Sequence, residues 1–280
     1  MKKISLLFTI ILFGLAIVFI SCEKEDQKDD ENTLLTIPSA EDEALEDMLW
    51  NAIDADVDFA GAVMNAKGYK SVLDSCPMII LEHPDSAYFP RTLIIDYGES
   101  CETWYGRIKK GKIVISLSNA LHLEGSVRTV TFEDFFIDEY QIEGLRTLTN
   151  NGYNDAGNMN FDVTLRDGKI IFPNQTEATR EMDQNREWIT GISTPFYWWD
   201  NEWLIRGNAS GVHRSGKTYE NTITKPILVQ ATCNFPVSGS VEMNINDLPS
   251  PVFLDYGNGV CDRFATLTFG DEEWEIELGH

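Results

Sequence analysis

Histidine is scarce in this chain, with four in 280 residues, and His83, His122 and His213 stand isolated from one another. That leaves little room for a histidine-rich metal site or proton relay, and no metal or cofactor is expected. Positive charge is short as well: 22 lysines and arginines face 45 acids, a formal net charge of -23. Nucleic acid and anionic membrane faces both attract cations, so neither is expected as the main partner. Gly-x-Ser-x-Gly, His-Glu-x-x-His and the phosphate-binding glycine loop are missing, which removes the reaction classes those motifs announce. No helical segments alternate with the strands described below, which argues against a parallel sheet. What is present excludes global disorder: 43% hydrophobic and 11% aromatic residues supply a sizeable core for one large domain or two small ones.

Lys2 and Lys3 precede an uncharged apolar run from Ile4 to Ile20. This is a positive n-region and an h-region too short for a comfortable membrane span. The run ends Phe19-Ile20-Ser21-Cys22. A small residue directly before a cysteine at this distance resembles the bacterial lipoprotein signal, here in a Bacteroidetes-type Ser-Cys form, although Phe19 and Ile20 replace the usual Leu and small residue. The resemblance implies a signal peptide over 1–21, a lipidated first mature residue at Cys22, and the lipid of the outer membrane as a partner through that acyl group. Residues 22–38 read as a solvated acidic tether, because the run Glu23–Glu31 holds nothing to bury. Within it, Lys28-Asp29-Asp30 resembles Lys-acidic-acidic export tags, which implies display on the outer face of the cell; the periplasmic face is the alternative. Cleavage removes two cations and takes the chain from -23 to -25. Residues 23–49 carry eleven acids against two bases, leaving -16 on the rest.

Residues 39–280 are expected to form one β-rich domain that begins with a helix. Ser39 follows Pro38 and precedes Asp42 by three residues, an N-cap with an acidic first turn. Leu45, Met48, Leu49, Ala52, Ile53, Val57 and Ala60 recur at three- and four-residue steps, while Glu43, Glu46, Asp47, Asp54 and Asp58 fill the other face. The spacing predicts an amphipathic helix over 39–66 that lies across an apolar sheet face or plugs a barrel mouth. A partner-binding helix is the alternative.

From Cys76 onward the period changes to two. Segments 91–96, 112–117, 128–132, 160–165, 187–190 and 264–269 read as strands, separated by turn signals about every ten residues, the spacing of sandwiches and barrels. The fold class is therefore all-β: an antiparallel meander forming a barrel-like or sandwich domain behind one N-terminal amphipathic helix. Lys109-Lys110-Gly111-Lys112, Arg166-Asp167-Gly168-Lys169 and Arg214-Ser215-Gly216-Lys217 read as three hairpin turns in which glycine supplies the positive φ. Their seven cations would make a basic rim if the turns shared one end of the sheet.

Two segments match each other. Cys76-Pro77 leads through Pro90 to Asp96-Tyr97-Gly98 and Cys101; Cys233 leads through Pro236 and Pro251 to Asp255-Tyr256-Gly257 and Cys261. Four cysteines in an exported chain read as two disulfides with three connectivities open. The internal match favours Cys76–Cys101 and Cys233–Cys261, since a duplicated unit would carry its own bridge. Asp96 and Asp255 are expected to organise the glycine turns through their carboxylates, with paired calcium ligation as the alternative.

The most unusual stretch is Pro195–Trp203 with Trp188 before it. Trp188, Trp198, Trp199 and Trp203, beside Asp200, would form a sugar-stacking platform if their flat faces lay together at the surface, and ordinary core packing if they did not. Glu273, Glu275 and Glu277 share one strand face about 7 Å apart, a spacing found in glycoside hydrolysis and equally in a wet terminal strand. The loop Asn150–Asn158 reads as a polar hairpin loop. Asp85-Ser86-Ala87 resembles the Asp-Ser/Thr-apolar sequon of Bacteroidetes-type O-glycosylation, which implies a glycan on Ser86.

The body from 76 to 280, with its paired Asp-Tyr-Gly segments each followed by a cysteine and its Gly-Lys hairpins, resembles a group of Bacteroidetes-type surface lipoproteins. The resemblance transfers no catalytic residue. The expected function is a surface-anchored, non-catalytic binding or interaction module for a glycan or a surface protein. A carrier enclosing an apolar ligand in a half-open barrel is the alternative, and a glycoside hydrolase the second alternative.

Overall fold

The computed structural model describes residues 26–65, 76–82, 89–103, 106–194 and 197–278; side chains within the helix are described from Glu41 to Val63, and that of Trp198 is not. Cys22 and Ser86 lie outside the described residues. A helix, α1 (Asp26–Asn65), precedes the strands β1 (Met78–Leu81), β2 (Arg91–Asp96), β3 (Cys101–Glu102), β4 (Ile108–Leu117) and β5 (Val127–Ile137). There follow β6 (Tyr140–Tyr153), β7 (Met159–Ile171), β8 (Glu177–Thr190), β9 (Glu202–Val212), β10 (Thr218–Gln230), β11 (Ser238–Ile245), β12 (Val252–Asn258), β13 (Phe264–Phe269) and β14 (Glu272–Glu277). All belong to one antiparallel sheet in chain order, with β3 a side branch on β4. The sheet is not closed, and β1 and β14 are its edges.

Period two builds the sheet's interior. Leu93 and Ile95 of β2, Ile113 and Ile115 of β4, Phe161, Val163 and Leu165 of β7, and Val252, Leu254 and Tyr256 of β12 are all buried. The same alternation sends Asp162 and Asp183 to water. The inward faces close on α1, whose Leu45, Met48, Leu49, Ile53, Val57 and Ala60 belong to one core with the residues of β2, β4 and β7, while those of β12 belong to a second core with Ala44. Each large buried side chain removes roughly 1.5–3 kcal/mol of apolar hydration cost, so this helix–sheet contact contributes to the fold's stability. The helix begins at Asp26, inside the predicted tether, so Ser39 is a mid-helix residue and not the cap. The physical reason is that Glu, Lys and Gln are good helix formers and that acids such as Asp26, Asp29 and Asp30 near a helix N-terminus are favoured by its dipole.

Curling so long a sheet around one helix requires bends, and two of the three predicted basic turns supply them instead of hairpins. Lys109–Lys112 lies within β4 and Arg166–Lys169 within β7, each at a register shift where the ladder skips a residue. Gly111 shows why a bulge demands glycine: its φ is +78°, and a Cβ there would run into the carbonyl of Asp134 on β5. Gly207 in β9, with φ +131°, meets Asp183 of β8 in the same way. Only Arg214–Lys217 is a turn, closed by the Gly216 N–H donating to the His213 carbonyl at 2.8 Å. The basic rim does not form, because Lys109 is buried and Arg166, Lys169 and Lys217 pair with neighbouring acids.

Both disulfides follow the internal match, with Cα atoms 5.5 Å apart in Cys76–Cys101 and 5.8 Å apart in Cys233–Cys261. The two Asp-Tyr-Gly segments behave alike: the Gly98 N–H donates to Asp96 Oδ1 at 2.8 Å, and the Gly257 N–H to Asp255 Oδ1 at 2.9 Å. Each tyrosine points inward and reaches the helix. Tyr97 donates to Asp56 Oδ2 at 2.6 Å, and Tyr256 to Asp47 Oδ2 at 2.7 Å.

The acids opposite the helix's apolar stripe, which an amphipathic surface helix would turn to water, are buried. Glu43 and Glu46 are each 1% exposed and Asp54 is 4% exposed. The sheet wraps the helix on this side as well, and its inner face carries cations there: Lys109 of β4, Arg128 of β5, Arg146 of β6, and Arg180 and Arg186 of β8.

Candidate ligand-binding site

The tryptophan cluster divides between the two faces of the sheet. Trp188 and Trp203 are cross-strand partners on β8 and β9. Their rings stack at 4.8 Å and 24°, turned inward, and Trp203 is 6% exposed. The Arg186 guanidinium lies 4.0 Å over the Trp203 ring, and Phe161 packs edge-on to it at 5.9 Å. Between the strands, Trp198–Asp200 form a 3₁₀ turn. Trp199 is half exposed there and meets Tyr197 at 73° with centroids 5.0 Å apart, so the two rings offer no shared flat face. Asp200 holds the loop by accepting from the Thr194 hydroxyl at 2.5 Å. Trp188, Trp199, Asp200 and Trp203 thus do not assemble one platform. Glu273 and Glu275 are exposed on edge strand β14. The Asn150–Asn158 loop is a hairpin closed by Asn154 Oδ1, which accepts from the N–H groups of Ala156 and Asn158.

The inward tryptophans wall a cavity of about 220 Å³ beside the last described turns of α1. Val57, Gly61 and Ala62 form its helix side; Leu93, Ile115, Leu148, Phe161, Trp188 and Trp203 supply most of the sheet side. Arg91, Arg128, Asp58 and Asn201 are the polar groups on its wall together with His122 at the exposed rim. An apolar chamber with a few converging polar groups is the usual form of a small-molecule site.

The electrostatics of this wall follow from three guanidiniums meeting two carboxylates. Arg146 clamps Asp54 with two bonds of 2.9 and 2.6 Å, and Arg186 reaches the same carboxylate at 3.0 Å. Asp58 takes Arg128 on Oδ1 at 2.8 Å and Arg186 on Oδ2 at 3.3 Å. Burial alone would raise the Asp54 carboxyl, yet Arg146, Arg186 and Arg128 hold it below the ordinary carboxylate value. Burial pushes Arg186 down, and repulsion from Arg128 and Arg146 adds to it against the attraction of Asp58 and Asp54. The Nε–H groups of Arg128 and Arg186 and the Trp188 indole N–H are buried without a hydrogen-bond partner. Such orphaned donors cost about 1–3 kcal/mol each.

At the other end of the helix the balance is reversed. Arg180 carries Glu43, Glu46 and Asp47 within 3.1 Å, and Arg214 pairs with Asp42 at 2.7 Å. Burial pushes the Glu46 carboxyl up to about 8, against the pull of Arg180 and with Glu43 adding repulsion. Asp47 and Asp42 are pushed up to about 6, again chiefly by burial. Tyr219 donates to Glu46 at 3.2 Å, and His213, stacked on Tyr219 at 4.1 Å, is pushed down to about 4 by burial. None of Asp42, Glu46 and Asp47 lines the cavities flanking the helix, so their raised values face no open substrate space.

Sequence reasoning missed the arginines. Their signal is parity: Arg128 shares a strand face with Val130, Arg146 with Leu148, and Arg180 with Ala178 and Met182, all buried. A cation at an apolar position of a two-residue period marks an inward charge that needs a partner. Among the described residues no helix is long and apolar enough to cross a membrane, and no cluster of His, Cys, Asp and Glu could hold a metal. No family model matches the chain, and neither a curated protein nor a solved structure matches it.

Proposed function

We propose that the protein is a lipid-anchored, surface-displayed lipoprotein whose half-open barrel is a non-catalytic binding module, with a small, largely apolar ligand held in the 220 Å³ cavity. The carrying observation is the cavity itself, a largely apolar chamber left between α1 and strands β2 to β9. The volume exceeds the roughly 150 Å³ that holds a benzene, which suits a body of about ten heavy atoms. A second reading, glycan contact at the half-exposed Trp199, rests on one ring beside Tyr197. The anchor reading rests on the leader and Cys22.

Naphthalene tests the cavity. Gly61 lines it, and a Cβ at Gly61 meets nothing within 4 Å, so a larger side chain has room to start there and Gly61→Trp is the variant chosen to fill the chamber. Isothermal titration should find naphthalene binding in the parent and none in the folded Gly61→Trp variant; no binding by the parent defeats the reading. Labelled palmitate should enter the parent and not Cys22→Ala; equal labelling removes the anchor.

A further inference from the structure

The buried charge cluster that Arg128 and Asp58 join to the cavity wall carries more cation than its acids neutralise. Arg128, Arg146 and Arg186 share Asp54 and Asp58, one carboxylate too few, and all five side chains are largely withdrawn from water. Of the three arginines, Arg128 faces the chamber: it is 3% exposed, and its Nε–H is buried without a partner. The Trp188 indole N–H on the same wall is also unpartnered. Asp58 lines the chamber too, but its oxygens are already taken by Arg128 and Arg186. A buried guanidinium that shares its carboxylate with a second arginine and keeps one donor free, on the same wall as an orphaned indole donor, is a site for an anionic oxygen, because charge-assisted bonds away from water are the strongest a ligand can supply there.

Resting on the reading of the cavity as a ligand site, we propose that its ligand is an amphipathic monoanion. Its apolar body fills the chamber between Val57, Leu148 and Phe161, and its carboxylate accepts hydrogen bonds from Arg128 Nε–H and Trp188 Nε1–H. Binding neutralises the excess cation and satisfies both donors at once. A neutral alcohol of the same length can accept only uncharged hydrogen bonds there and leaves the excess cation in place.

Octanoate and 1-octanol, matched in length, test this on the full-length protein by isothermal titration. Octanoate should bind about tenfold tighter than 1-octanol, the value of one charge-assisted hydrogen bond. Trp188→Phe keeps the ring and removes the donor, so octanoate should weaken severalfold while 1-octanol is unchanged. Asp58→Asn frees a guanidinium N–H and removes a like charge, so octanoate should tighten; this gain keeps the test decisive if Arg128→Met fails to fold. If the two probes bind equally in the parent, the cavity stands as an apolar site and the anion proposal is overturned. If neither binds, both the anion proposal and the cavity reading fail.

Discussion

The two ends of the helix use the same chemistry with opposite balance. Around Asp42–Asp47, four acids meet two arginines, the helix is clamped, and two tyrosines donate into the cluster. Around Asp54–Asp58, three arginines and Lys109 meet three aspartates, and a chamber opens beside them. An acid excess in a closed interior relieves itself by taking up a proton, as the raised Glu46 indicates. An arginine cannot readily give up its proton, so the cationic end keeps its charge and holds it beside an open space. The first end locks the helix in register; the second leaves something for a ligand to complete.

The largest effect should come from breaking the lock. Arg180→Leu leaves three buried carboxylates without their cation and should cost about 3–5 kcal/mol in urea unfolding. Arg128→Met should cost clearly less, because Asp58 retains Arg186. Equal losses would erase the distinction between the ends. Opening either disulfide by Cys→Ser should cost roughly 3–4 kcal/mol at most, nearly the same for the two, since the bridged residues are 25 and 28 positions apart.

Proton uptake distinguishes the ends by pH. Glu46, whose folded value near 8 lies above its ordinary 4.5, contributes stability that is complete below 4.5 and lost as pH rises through 8. Asp42 and Asp47 lose theirs by about 6. His213 acts in the opposite sense, complete above 6.5 and lost as pH falls toward 4. Between pH 6.5 and 8 only Glu46 still changes among these groups, so stability should fall by on the order of 2 kcal/mol across that window. Glu46→Gln should flatten it; a parent already flat there would contradict the buried, protonated carboxyl. The smallest effect is expected outside both ends. Glu273→Gln with Glu275→Gln on the exposed face of β14 should stay within about 0.5 kcal/mol by thermal unfolding.

Much of the fold was legible because period two is written into segments such as Arg91–Asp96 and Phe264–Phe269, and duplication of the Asp-Tyr-Gly unit paired the cysteines. The two glycine bulges read as turns because Lys110-Gly111-Lys112 has the same local chemistry either way. Only the neighbouring strand, with the Asp134 carbonyl against Gly111, decides between them. The acids of α1 read as one side of an amphipathic helix because helical spacing reports which residues share a face and nothing of what lies opposite. The arginine parity in β5, β6 and β8 carried that missing half. The inward turn of Trp188 and Trp203 shares a cause with it: both sit in register on the strands that wrap the helix. The cavity left no mark in the sequence, since it is a gap between side chains drawn from eight elements.

The central claim is that the cationic end of the helix is the binding end, and side-chain resonances test it directly. On titration with octanoate, the Arg128 Nε–H and Trp188 Nε1–H signals should shift together and saturate, while the Arg180 Nε–H signal stays fixed. Shifts centred on Arg180, or a saturable event that leaves Arg128 and Trp188 unmoved, would contradict the account.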